Sequence, residues 1–244
     1  MFTLVRGGRG SFLIVFLVYS FPRSSKYCHN LTINQCSNVT FLGKGADKTL
    51  ISGEVEIHDQ KNIVFKGVNF LTGVFLFGKE TSGCFSGCSF SGCSMHGLSV
   101  DDFASVTATQ CHFFDNEWSG ADLSNHSKGS FTDCTFYGNG GNEAMRVSSG
   151  VEASRGAVVK IHGRNTEIFA NPGNGIFVQA DAVVDIYLPL EHNTVHDNGR
   201  KGSNGRDYHS VPTSEIGREG GKIQKHRGEG QGFVVIENTP ENNY

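Results

Sequence analysis

Three groups of residues in this chain have types and spacings that could do chemistry. Asp115, Glu117 and Asp122 surround Trp118, the one tryptophan among 244 residues. A tryptophan beside carboxylates can stack a sugar ring, and paired carboxylates can supply the acid and the base of glycosidic chemistry. The plainer alternative, which we favour at this level, is a Trp that covers a turn. Asp101 and Asp102 follow Leu98-Ser99-Val100. They could bind Ca²⁺ or a sugar, because hard cations prefer oxygen ligands. Again the plainer alternative is favoured: a solvated turn whose side chains cap backbone N–H groups. Glu143 and Arg146 form the third group, inside a stretch from Gly140 to Ser149 that interrupts a repeat described below. Excursions from a rigid scaffold are where binding residues concentrate.

Other signatures are missing. The ten His follow no shared spacing, no H-E-x-x-H occurs, and they read as surface residues. Ser82-Gly83, Ser86-Gly87, Ser91-Gly92 and Ser119-Gly120 lack the flanking glycines of a nucleophile elbow. Gly43-Lys44-Gly45 has the wrong spacing for a phosphate-binding loop. Cys84, Cys88 and Cys93 contain no C-x-x-C, so no metal site and no cofactor are assigned beyond the Ca²⁺ alternative. Seven Cys is an odd number, which leans toward a reducing compartment.

The elements that must position these groups are strands. Gly is abundant at 32 residues, Phe at 19, and charged residues make up only 18%. Gly, Asn and Phe with little Ala or Leu favour strands and tight turns over helices. No segment carries a helical apolar period over 11 residues. A net charge of −3 argues against a nucleic-acid partner recruited by bulk basicity. The apolar run from Phe12 to Val18 follows Arg6 and Arg9 and precedes Ser20. It reads equally as a signal peptide, which would make the protein secreted, or as a buried strand. It is too short to span a bilayer, which takes about 20 residues. Asn30, Asn38 and Asn125 open N-x-S/T sequences, which do not decide the compartment.

A repeat organises the rest. Cys88-Ser89-Phe90, Cys111-His112-Phe113 and Cys134-Thr135-Phe136 recur every 23 residues. Asn116 and Asn139 stand three positions beyond the last two Phe. The frame continues through Ile168 with Asn171 and Val195 with Asn198, and upstream through Phe70 with Gly73. A second frame aligns Gly97, Gly120, Gly150 and Gly175, each followed by an apolar residue. Such a period is too short for a βαβ unit, which needs about 30 residues or more. It suits one rung of a β-solenoid, with strands about 4.8 Å apart in parallel pairing. Like residues then stack on like, giving axial columns of Cys, Phe and Asn. The Asn position is expected to be a left-handed turn, and its amides a hydrogen-bonded ladder.

Strands are expected at Leu31-Thr32-Ile33, Val39-Thr40-Phe41, Leu50-Ile51, Val55-Glu56-Ile57 and Ile63-Val64-Phe65, and last at Gly220 to Ile223 and Phe233 to Glu237. The chain divides into an N-terminal segment 1–29, rungs over 30–198, and a C-terminal loop with last strands over 199–244. In this register we find no aligned carboxylate ladder.

Residues 30 to 238 resemble right-handed parallel β-helix proteins of the pectin-lyase-like type. LTINQCSNVTFLGKGADKTLISG looks like their first rungs, and DIYLPLEHNTVHDNGRKG with GGKIQK resembles the end of uncharacterised β-helix proteins of algae. The resemblance implies an all-β, single-stranded right-handed solenoid, an architecture that hosts lyases, hydrolases, epimerases, adhesins and inert scaffolds. Enzyme motifs of those relatives do not carry over. The Gln-Asp-Thr-Leu and Asp-Phe-Ile-Phe-Gly segments of pectin methylesterases and the Asp-Pro-His of alginate epimerases are missing. Of the polygalacturonase set, only Asp101-Asp102 matches. The expectation is therefore a scaffold that binds a carbohydrate or a protein, with a divergent polysaccharide-active enzyme as the alternative.

Overall fold

The computed structural model describes residues 2–6, 12–16, 30–140, 148–188, 195–196, 198, 215–218, 221–227 and 234–236. Every regular element among them is a strand or turn, and three sheets of 11, eight and seven strands run along one axis. We call these sheets A, B and C. Each rung visits them in the order B, A, C. One rung is Leu98–Val100 in B, Ser105–Thr109 in A and His112–Phe114 in C; the next is Ala121–Leu123, Lys128–Thr132 and Thr135–Tyr137. Neighbouring rungs pair in parallel. Among the described residues, antiparallel pairing occurs only at the two ends of sheet A, between Phe2–Arg6 and Phe12–Phe16 and between Lys222–Arg227 and Val234–Ile236. The five strands expected between residues 31 and 65 all form.

The repeat read from the sequence is the register of sheet C. Phe70, Phe90, Phe113, Phe136, Ile168 and Val195 are successive partners up one column. All six are buried. The rings of Phe90, Phe113 and Phe136 stack nearly parallel, with centroids 4.5 and 4.6 Å apart. A second column, Phe41, Phe65 and Phe85, rises inside sheet A. It meets the first edge to face, as between Phe85 and Phe90 at 5.3 Å, the geometry that ring quadrupoles favour.

Volume is shared across the core rung by rung. Leu76 and Leu123 project from sheet B, and sheet A answers with Gly83 and Gly129. A Cβ on Gly83 would lie 2.7 Å from Leu76 Cδ2, and one on Gly129 would lie 2.6 Å from Leu123 Cδ2. In the rung between them Val100 shares the core with Val106, both buried. The core is thus filled by complementary pairs, which is how interiors reach crystal-like density.

The Asn column forms the expected ladder. Asn116 Nδ2 donates to Asn139 Oδ1 at 2.8 Å, Asn139 Nδ2 to Asn171 Oδ1 at 3.0 Å, and Asn171 Nδ2 to Asn198 Oδ1 at 2.8 Å. The second amide proton goes to the carbonyl of the column residue one rung below, Phe113 for Asn139 and Phe136 for Asn171. Each Oδ1 also accepts a backbone N–H, so all four hydrogen-bonding sites of a buried amide are used. The backbone differs from expectation. Positive φ falls one residue earlier, at Gly92, Asp115, Gly138 and Ala170, and not at Asn116, Asn139 or Asn171. Asn is required there for its amide, not for left-handed backbone.

Cys88, Cys111 and Cys134 are buried, reduced thiols at the bend between sheets A and C. Each donates to a main-chain carbonyl, as Cys134 does to Ala108 at 3.4 Å. They serve as small apolar fillers with a weak donor.

Candidate functional site

The outer side of sheet B carries the chemistry. Strand residues alternate faces, so the middle residue of each short B strand points away from the core. These outward residues form one column: Glu56, Phe75, Ser99, Asp122, Glu152 and Phe177. Asp122 and Glu152 are direct partners on consecutive rungs. This corrects the reading that no carboxylates align. The glycine frame contained the alignment, since Asp122 and Glu152 each stand two residues beyond Gly120 and Gly150. The long rung between them hid it.

Two residues from the preceding turns complete the cluster. Ser119 is fully buried, and its hydroxyl donates to Glu152 at 2.8 Å while accepting the Ser149 N–H at 3.1 Å. His96 Nδ1 accepts the Ser119 N–H at 3.3 Å. The neutral ring then carries its proton on Nε2, which lies 3.8 Å from Asp122 Oδ2. Trp118 sets its ring edge to face against His96, with centroids 5.0 Å apart. The side chains of His96 and Asp122 are only 15% and 18% exposed. His96 is therefore not a surface histidine.

Shielding decides the protonation states. Burial pushes the Asp122 carboxyl up to about 8, helped by the negative charges of Glu152 and Asp101 and opposed by Arg155. Burial also raises Glu152, against the lowering pull of its Ser119 hydrogen bond. Burial pushes His96 down to about 4. At neutral pH the 3.8 Å contact therefore joins a neutral imidazole to a protonated carboxyl group, and is not an ion pair. Two carboxyl groups with unlike surroundings can divide acid and base roles.

The remaining sequence candidates scatter. Asp101 caps its own turn, accepting the Asp102 N–H at 2.8 Å and the Ser124 hydroxyl at 2.9 Å. Asp102 is exposed at φ 49°. Asp115 and Glu117 are exposed and leave the cluster. Asp115 belongs to the side of sheet C, where burial and then the Asp115 charge raise Tyr137 and the side-chain-free Gly138 makes room for the Asp115 carboxylate. Of the group around Trp118, the structure keeps Trp118 and Asp122 together and adds His96, Ser119 and Glu152. Glu143 and Arg146 lie outside the described residues, as do residues 199–214. No group of three or more His, Cys, Asp or Glu among the described residues is disposed to hold a metal ion. Among them also, no helix is long and apolar enough to cross a membrane.

The family described as a right-handed β-helix region matches residues 23–188. No curated protein and no solved structure matches the chain.

Proposed function

Because this chain belongs to the right-handed β-helix family, whose scaffold does not fix an activity, we propose from its site that it is a carbohydrate-binding module. It engages a saccharide on the outer face of sheet B around His96, Trp118, Asp122 and Glu152. The observation that carries this reading is an indole set against His96, which in turn reaches Asp122 of a carboxyl pair on consecutive rungs. An aromatic surface beside a few polar groups that fix orientation is the usual composition of a ligand site.

A second reading is favoured by one observation, the stacking of Asp122 on Glu152 in consecutive rungs, where burial raises the Asp122 carboxyl. A rung spacing of about 4.8 Å approaches the roughly 5–5.5 Å between carboxyl groups of retaining glycosidases. In that reading Asp122 is the acid and Glu152 the nucleophile.

Calorimetric titration with neutral and uronate oligosaccharides, run beside a reducing-end assay, separates the two. A binding module takes up sugar without releasing reducing ends, and Asp122→Asn with Glu152→Gln weakens uptake. An acid/base enzyme releases ends, and either substitution stops it. Neither uptake nor release would overturn both readings.

A further inference from the structure

The outer face of sheet A, away from the carboxyl pair, carries a depression of about 270 Å³. Its lining includes Asn62, Val64, Ser82, Cys84, Ser105 and Thr107, and no charged residue lines it. Val64, Cys84 and Thr107 form one outward column, and Ser82 and Ser105 are partners in the next. The side chains are short on consecutive rungs, so the sheet surface itself becomes a floor.

The hydrogen-bonding inventory is specific. Asn62 Nδ2 donates to Asn38 Oδ1 at 2.8 Å, which leaves the Asn62 carbonyl oxygen as an acceptor. Ser82 Oγ accepts the Asn62 N–H at 2.8 Å and keeps its own proton to donate. Ser105 Oγ donates to the Thr81 carbonyl at 3.3 Å and keeps its lone pairs. The Thr107 hydroxyl adds a donor and an acceptor. The Val64 methyls and the Cys84 sulfur supply an apolar floor. No charged side chain lines it to pair with a charged ligand, the nearest in the column being Lys128 on the rung beyond Ser105, and a purely apolar ligand would strand the hydroxyls without partners. A sugar ring satisfies both, with C–H groups on the floor and hydroxyls at the rim. The volume falls just below the roughly 300 Å³ at which pockets for drug-sized ligands begin, which suits one ring and not a chain.

We propose that this depression is a second site, which binds a single ring of a neutral saccharide. It rests on observations independent of sheet B.

Cys84 reports on the site, because it and Cys36 are half-buried whereas Cys88, Cys93, Cys111 and Cys134 are buried. The experiment measures iodoacetamide alkylation of Cys84 and Cys36 by peptide mass spectrometry in the full chain. The probes are glucose, galactose, xylose and glucuronate. A neutral sugar at ten times its Kd should slow Cys84 alkylation about tenfold and leave Cys36 unchanged. Ser82→Ala should reduce the protection without altering the circular dichroism spectrum. Absence of protection by all three neutral sugars, or equal slowing of Cys36, would overturn the site. Equal protection by glucuronate would overturn the neutral class.

Discussion

At the scale of residues, His96 and Asp122 pull stability in opposite directions as pH changes. The folded state holds Asp122 protonated up to about pH 8, whereas the unfolded chain releases that proton near 3.8. Folding therefore loses stability as pH rises between those values, at about 1.4 kcal/mol per pH unit. His96 is neutral in the folded state down to about pH 4 but is protonated below 6.5 when unfolded. Its contribution rises with pH over that window. The two slopes cancel between about pH 4 and 6.5, and Asp122 acts alone between 6.5 and 8. Urea unfolding should show a fall of about 2 kcal/mol across the upper window. Asp122→Asn should flatten that window and expose the His96 slope below it. A wild-type profile that rises from pH 6.5 to 8 would contradict the protonation states assigned to the cluster.

The ladder amides carry a different prediction. Asn139→Ala deletes one amide and strands the Asn116 side-chain and main-chain donors and the Phe113 carbonyl. A buried group left without its partner costs about 1–3 kcal/mol. A loss of about 3 kcal/mol in the unfolding free energy is expected. A change below 1 kcal/mol would mean that water replaces the amide.

At the scale of elements, the Leu–Gly pairing between sheets B and A makes each rung specific to its position. Gly129→Val places side-chain atoms where Leu123 already lies. Overpacking of this kind costs about 1–3 kcal/mol. Leu123→Ala alone leaves a cavity, and the double variant should recover most of the loss, because the second change clears the space the first one needs. Simple additivity in a double-mutant cycle would refute the shared volume. This level also shows what could be read from the sequence. Phe90, Phe113 and Phe136 were legible because inward residues must stack at a fixed spacing. Glu152 was not, because the rung from Phe136 to Ile168 carries extra residues and shifts the count. The left-handed positions were also misplaced. Asp115 and Ala170 hold positive φ without being Gly or Asn, so residue type alone did not mark them. His96 and Ser119 gave no signal, since each sits in a turn that reaches the sheet B strand of the following rung, far off in sequence.

At the scale of the whole molecule, the solenoid is continuous from Leu31–Ile33 in sheet B to Val195–His196 in sheet C. Phe113→Asp would place a carboxylate between Phe90 and Phe136 in the middle of the stack. Burying an unpaired charge is prohibitive, so this variant should lack cooperative unfolding and native circular dichroism. A folded, soluble Phe113→Asp protein would contradict the register. The same rigid stack explains how two turn residues and two strand residues are held as one cluster on the outer face. That face is where the functional account stands or falls. The most direct test is a glycan array probed with the wild-type chain and Trp118→Ala in parallel, with the fold of both checked by circular dichroism. The wild type should bind a glycan that the variant loses. Binding that is unaffected by the substitution, or no glycan bound by the wild type, would contradict it.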